Sequence, residues 1–248
     1  MGTHNVEDAG SAAAAEGAVK TVNAVKAVNG DGPAHLVWDW NGTLFHDIDA
    51  VISASNAAFA EIGLEPITLA RYRELYCVPI PRFYERLMGR LPTPAEWDHM
   101  DLVFQRYYRD HLIRCALADG AESLLRSWQE AGGTQSIMSM YGHEDLLPLV
   151  RGFGIERRFI RVDGRTGPSG GSKAEHMARH IAGLDGVSAR RTVVIGDAVD
   201  DAVAAAHVGA HAVLYTGGSH SRESLAEAGV PVVDSLAEAV AEAERLVG

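Results

Sequence analysis

The chain is poor in several things, and each shortage narrows what it can be. Cysteine is scarce: Cys77 and Cys115 are the two in 248 residues. They have no paired spacing for a metal, and a disulfide framework is not expected, which points to a reducing compartment. Long apolar runs are missing, so nothing approaches the ~20 residues that cross a bilayer. The N-terminus lacks the charged start and apolar core of a secretory signal, and the expected location is the cytoplasm. Positive charge is also short, with 22 Lys and Arg against 33 Asp and Glu, for a formal net charge of -11. A nucleic-acid surface needs a basic stripe, so nucleic acid and membrane are not expected partners. Lysine occurs only at Lys20, Lys26 and Lys173, which makes each one easy to judge.

What is present suits a globular α/β protein. Hydrophobic residues make up 47% of the chain, enough for one sizeable domain, with or without a smaller insert. Residues 1–33 are rich in Ala, Gly, Asn and Asp, with Val19, Val22, Val25 and Val28 as a narrow helical stripe, and read as a mobile tail. His35 to Trp38 is an apolar run that ends abruptly in Asp39, followed by Asn41-Gly42-Thr43-Leu44. That pattern is a buried strand delivering a carboxylate into a tight loop. Ile48 to Leu64 has helical spacing. Ile67 to Leu117 is aromatic-rich, cut by Pro79, Pro81, Pro92 and Pro94, and reads as further helices. Beyond Asp119, strands are expected at Thr134–Met140, Phe159–Val162, Thr192–Ile195, Ala210–Tyr215 and Val230–Val233. Helices alternate with them, the penultimate one at Ser221–Ala228. Such alternation implies crossover units and a doubly wound parallel sheet. The expected division is a tail (1–33), a core (34–47 and 118–248) and an inserted all-helical domain (48–117).

Three of these strands end in polar residues: Asp39, Ser139 and Asp197. In a parallel sheet all three emerge on one edge, where ligands bind. Lys173 opens a helix after the Gly-rich loop 164–172 and can reach that edge. Asp200 and Asp201 follow Asp197. A carboxylate can attack phosphorus and split one hard step into two. A hydroxyl, an ammonium and loop N–H groups can hold the charged oxygens of a phosphoryl group. Mg²⁺ suits the gap between two anions, since it binds through one or two carboxylates and keeps several waters. Taken singly, each residue has a plainer reading as a cap, a turn or a solvated side chain.

Together the motifs resemble the haloacid dehalogenase-like superfamily of hydrolases, in its phosphoglycolate phosphatase-like form with a helical C1-type cap. Asp39-Trp40-Asn41-Gly42-Thr43-Leu44 is similar to the first motif, Asp-x-Asp-Gly-Thr-Leu. Ile137-Met138-Ser139 resembles the second, Lys173 the third, and Gly196-Asp197 to Asp200-Asp201 the fourth. The resemblance spans His35 to Val247. It implies a Rossmann-like core and a Mg²⁺-dependent phosphatase acting through an aspartyl phosphate on a small phosphorylated metabolite. By position, Asp39 would be nucleophile and metal ligand. The Asn41 main-chain carbonyl and Asp197 would be further ligands, and Asp201 would support the metal. Ser139, the Met140 backbone, Gly42 and Lys173 would hold the phosphate. The cap arginines Arg82, Arg86 and Arg90 either meet an anionic substrate or form a solvated face. A monomer or a homodimer is compatible.

The main departure is Asn41, which stands where the family's phosphatases carry an acid–base Asp. A carboxamide exchanges no protons near pH 7, and general acid–base catalysis is worth ~10²–10⁴-fold. His46, Asp47 and His143 are neighbours able to substitute, His46 first because its pKa lies near neutrality. Two other readings follow from Asn41. One is a phosphate-ligand-binding or regulatory protein with weak turnover; the other is a metal-independent dehalogenase. A phosphonate hydrolase needs a cap lysine, and residues 48–117 contain none.

Overall fold

The structure, a computed structural model, describes residues 32–167 and 172–248. The expected tail, apart from Gly32 and Pro33, and residues 168–171 of the Gly-rich loop lie outside the described residues.

Strand β1 (His35–Trp38) leads into the Asp39 loop and then β2 (Phe45–His46). Helices α1 (Ile48–Glu61), α2 (Leu69–Leu75), α3 (Ile80–Met88) and α4 (Pro94–His111) follow, then β3 (Ala116–Leu117). The rest alternates: α5 (Ala121–Glu130), β4 (Thr134–Gly142), α6 (His143–Gly152), β5 (Arg161–Arg165), α7 (Lys173–Ala182), β6 (Thr192–Gly196), α8 (Val199–Val208), β7 (His211–Tyr215), α9 (Arg222–Ala226), β8 (Val232–Val233) and α10 (Leu236–Val247). Six strands form a parallel sheet in the order β5-β4-β1-β6-β7-β8.

This is the doubly wound α/β fold expected from the alternation. β1 runs down the middle, so every residue from His35 to Trp38 is buried. Its side chains alternate between two apolar layers. Leu36 and Trp38 join Ile137, Ile195 and Val213 on one face. Val37 joins Met138, Val194 and Leu214 on the other.

Three details differ from the expected elements. The strand expected at Phe159–Val162 is Arg161–Arg165, because Glu156–Arg158 forms a 3₁₀ turn that delays it. The helix expected at Ser221–Ala228 is shorter, with Ser221 as its N-cap, accepting from the Ser224 N–H. The third detail is the antiparallel pair Phe45↔Leu117 and His46↔Ala116. It ties together the two chain crossings into the helical insertion. Two-residue strands carry no periodicity, so nothing in the sequence marks them.

The prolines cut this stretch into separate helices as expected, and Pro81 and Pro94 do so from the first turns of α3 and α4. Pro94 is the first residue of α4, where a missing N–H costs nothing. Thr93 and Glu96 close a reciprocal capping box there. The insertion has its own core of Phe59, Tyr72, Phe83, Tyr84 and Met100. The Phe83 ring lies 5.0 Å from Tyr72 and 5.4 Å from Tyr84. Phe59, Tyr72, Phe83 and Tyr84 are therefore packing residues.

A largely buried polar chain runs from the start of β1 across β4 to β5. His35 Nδ1 lies 2.8 Å from Thr134 Oγ1, and its Nε2 lies 2.8 Å from Ser136 Oγ. Ser136 Oγ is also 2.7 Å from His180 Nε2, whose Nδ1 is 2.7 Å from Asp163. One donor order satisfies every link: Thr134 to His35, His35 to Ser136, Ser136 to His180, His180 to Asp163. Burial, reinforced by His180 nearby, pushes His35 down to about 3. The unfolded chain, with an ordinary His pKa of ~6.5, then binds one proton more than the folded chain between those values. His35 therefore contributes stability fully above pH ~6.5, and that contribution falls as pH drops toward 3. The expected slope is about 1.4 kcal/mol per pH unit in urea unfolding below pH 6. His35→Gln should flatten this component; an unchanged slope would show that another group sets it.

Candidate active site

The site follows from strand register. Trp38 lies level with Ile137 on one side and Ile195 on the other. The residues just beyond, Asp39, Ser139 and Asp197, therefore share one edge of the sheet. The Asp39 N–H donates to the Ile195 carbonyl at 2.9 Å, extending the ladder to the carboxylate itself. All three residues are buried.

Lys173 begins α7 and reaches into this edge, as its place in the sequence predicted. Its Nζ lies 2.7 Å from Asp39 Oδ1 and 2.6 Å from Asp201 Oδ1. Asp201 sits in the first turn of α8, where its Oδ2 accepts from the Ala198 N–H at 3.1 Å and negative charge is favoured. Asp197 Oδ2 accepts from the Ser219 N–H at 2.9 Å. Oxygens of Asp39, Asp197 and Asp201 lie within 4.8 Å of one another.

The electrostatics are those of an incomplete charge balance. Burial pushes the Asp39 carboxyl up to about 6; Lys173 opposes this and Asp201 adds to it. Burial also raises Asp197 well above the usual carboxylate range, with Asp39 and Asp201 contributing. For Lys173, burial works against the ammonium, yet Asp201 and Asp39 overcome it and hold the pKa above its ordinary value. Three buried carboxylates facing one ammonium leave the cluster net negative. A hard divalent cation with oxygen ligands fits that donor set, and Mg²⁺ would be held by Asp39, Asp197 and Asp201. Gly42 is shaped to this cluster: its φ is +72°, and a Cβ there would lie 2.6 Å from Asp197 Oδ2.

The structure joins the half-buried Asn41 to two buried partners, Asp47 and Tyr108. Its Nδ2 donates to Asp47 Oδ2 at 2.8 Å and to Tyr108 Oη at 2.8 Å. Tyr108 Oη in turn donates to Asp47 Oδ2 at 2.5 Å, and the Gly42 N–H donates to Asp47 Oδ1 at 2.9 Å. Every neighbour of Asp47 donates to it. Both amide hydrogens of Asn41 are consumed, which leaves Oδ1 as its free polar atom.

Several sequence expectations change here. The Gly42 N–H is turned to Asp47, so it is not a free phosphate donor. His46 is exposed on β2, whereas its neighbour Asp47 is buried beside Asn41. His143 Nδ1 accepts from the Gly164 N–H at 3.2 Å. Arg82 pairs with Glu85 one turn along the exposed face of α3. Arg90 likewise pairs with Glu96, outside the site. Arg86, by contrast, lines a cavity of about 650 Å³ together with Tyr76, Cys77, Asp200 and His220. Ser139 is buried within β4, three residues before the strand ends, its Oγ accepting from the Tyr141 N–H at 3.1 Å. Met140 beside it is half-buried, and its carbonyl accepts from Arg165 at 3.2 Å.

Tyr108, Arg73, Ser219 and His220 also approach the site, and sequence reasoning missed them. Tyr108 stood in the sequence as one aromatic among many, and no spacing marks it. Arg73 lies in α2, Ser219 and His220 follow β7, and no motif marks either stretch.

A central strand ending in a buried carboxylate, answered by a lysine and two aspartates from later elements, under a helical insertion, is the arrangement implied by the motifs' resemblance to haloacid dehalogenase-like hydrolases. The HAD-hydrolase-like family model matches residues 169–239. The phosphoglycolate phosphatase of Synechococcus elongatus is 25% identical over 195 residues, 78% of this chain and 88% of that protein. A haloacid dehalogenase-like family hydrolase of Streptococcus pneumoniae superposes with a TM-score of 0.70 at 16% identity, covering 85% of this chain and 98% of its own. Protein Tyrosine Kinase A of Mycobacterium tuberculosis superposes with a TM-score of 0.69 at 22% identity, covering 86% and 99%. The chain is thus similar to haloacid dehalogenase-like hydrolases over residues 169–239 and to a phosphoglycolate phosphatase over 78% of its length, and it shares their fold.

The trio makes a direct prediction. Asn41→Asp sets a second carboxylate against Asp47 where an amide donated, and should cost about 1–3 kcal/mol. Asn41→Asp with Asp47→Asn restores one donor and one acceptor, and should recover most of the loss. Thermal unfolding of the two variants is the measurement; an Asn41→Asp protein as stable as the parent would contradict the assigned bonding.

Proposed function

We propose that the chain is a Mg²⁺-dependent phosphatase that hydrolyses a small phosphorylated metabolite through an aspartyl phosphate on Asp39. One observation carries this reading. Asp39 is buried on the ligand-binding edge of the sheet with Lys173 Nζ at 2.7 Å and Asp197 and Asp201 beside it. A pure phosphate-binding protein has no use for a buried carboxylate aimed at its ligand. A metal-independent dehalogenase has no use for the acidic cluster.

Asp39 attacks the phosphorus, and the P–O bond to the leaving group breaks as the new one forms, the leaving oxygen keeping the bonding pair and departing as an anion acidic enough to need no proton from position 41. Lys173, fixed as an ammonium by Asp39 and Asp201, neutralises charge on the equatorial oxygens. Ser139 adds a hydroxyl donor on the next strand. When bound, Mg²⁺ supplies Lewis-acid charge neutralisation between nucleophile and phosphate. Asn41, with its amide hydrogens committed, offers Oδ1 to orient a hydroxyl or a water and moves no proton itself. The second half-reaction, hydrolysis of the acyl phosphate, is therefore the slow one. Of the cap arginines, Arg86 lines the cavity beside Asp200 and His220, and Arg82 is paired with Glu85 outside it.

The fold alone does not choose this activity, since the superposable proteins include one named as a kinase. The test is turnover of a panel of phosphate esters with and without Mg²⁺. Phosphate release should require the metal and should fall at least ~10³-fold in Asp39→Asn, the order expected when covalent catalysis is removed. Unchanged release in that variant would refute the nucleophile. Metal-independent halide release would favour the dehalogenase reading.

A further inference from the structure

One cluster outside the chemistry links the helical insertion to the carboxylates. It lies at the segment after β7, residues 216–220. Gly218 packs directly on Asp197: a Cβ there would lie 1.8 Å from Oδ2, so only glycine lets the backbone come this close. The next residue, Ser219, gives its N–H to that same Oδ2 at 2.9 Å. The segment therefore fixes which way the Asp197 carboxylate faces.

The segment is itself gripped from the insertion. Arg73, near the end of α2, donates Nε to the Gly218 carbonyl at 2.8 Å and Nη2 to the Gly217 carbonyl at 3.0 Å. Two adjacent carbonyls receive one planar fork, a geometry that a lysine cannot copy. Three residues on, the Tyr76 ring meets the His220 imidazole edge-on at 4.9 Å and 82°. One short helix end thus holds both sides of Ser219. The partners are more than 140 residues apart in sequence, so these contacts exist only when the insertion is seated on the core.

We propose that Arg73 is a positioning residue that, by holding the Gly217 and Gly218 carbonyls, sets the Ser219 N–H against Asp197 and couples the seating of the helical insertion to divalent-cation binding. The proposal rests on the reading of Asp39, Asp197 and Asp201 as the cation site. Hydrogen-bonding partners behind a metal ligand orient it, and their loss typically costs 10–100-fold in affinity. Arg73 acts one step further out, so the lower end of that range is expected.

The test is Mn²⁺ binding to the full chain without substrate, followed by electron paramagnetic resonance. Arg73→Gln should weaken Mn²⁺ binding by about 10-fold. Arg73→Lys should recover only part of it, because one ammonium cannot serve both carbonyls. Amide exchange at Ser219 should quicken in Arg73→Lys while the sheet amides stay protected, a change that a general loss of stability would not give. If Arg73→Gln fails to fold, the Lys variant carries both measurements. Equal Mn²⁺ affinity in folded variants, within twofold, would overturn the clamp and leave the cation site standing. A parent chain that binds no Mn²⁺ would overturn the cation site and the clamp together.

Discussion

The structure turns on one buried ion pair with three members, Lys173 between Asp39 and Asp201. Removing such charges from water costs several kcal/mol per ion, and their attraction offsets this only with close contacts and further hydrogen bonds. Both carboxylates have contacts beyond the lysine. The Asp39 backbone extends the β1–β6 ladder, and Asp201 is tied to the first turn of α8. The sheet, the Lys173 helix and the Asp201 helix must all be in register for the pair to form. The same pair leaves Asp197 without a cation, which is why the cluster accommodates one.

Around that pair, the site is made of backbone geometry as much as of side chains. The central place of β1 buries Asp39, and the register with β4 and β6 brings Ser139 and Asp197 alongside. Gly42 and Gly218 approach Asp197 from two directions because neither has a Cβ. The insertion then touches the site at two places. Tyr108 enters through the Asn41–Asp47 trio, and Arg73 enters through the segment that holds Asp197. The insertion therefore contacts both the Asp39 loop and the segment that holds the acidic cluster.

Much of this was legible in the sequence, for identifiable reasons. Alternation of buried runs with helical spacing gave the sheet, because a strand buried on both faces is apolar throughout, as His35–Trp38 is. Polar residues at strand ends gave Asp39, Ser139 and Asp197, because chain direction in a parallel sheet puts those ends together. Lys173 stood out because lysine is rare here. The remainder depends on contacts between distant residues that no local pattern encodes. Asp163 and His180 are 17 residues apart, and Arg73 and Gly218 are 145 apart. Arg82 and Arg86 lie one turn apart on the same helix, so sequence gave no basis for choosing between them. An intrahelical pair with Glu85 occupies one, and the cavity receives the other.

Asn41 changes meaning in this setting. In sequence it reads as a lost acid–base group. In the fold it answers Asp47: a buried carboxylate surrounded by donors needs an amide at position 41, not a second acid. On the proposed reading, Asp39 forms its phosphoryl adduct with an acidic leaving group and loses it slowly. The most direct test is rapid-quench intact-protein mass spectrometry with a phosphate ester and Mg²⁺, the adduct being mapped by borohydride reduction. The account predicts one phosphoryl group per chain, carried on Asp39 and accumulating before steady state. An adduct on any other residue, or turnover with none on Asp39, would contradict it.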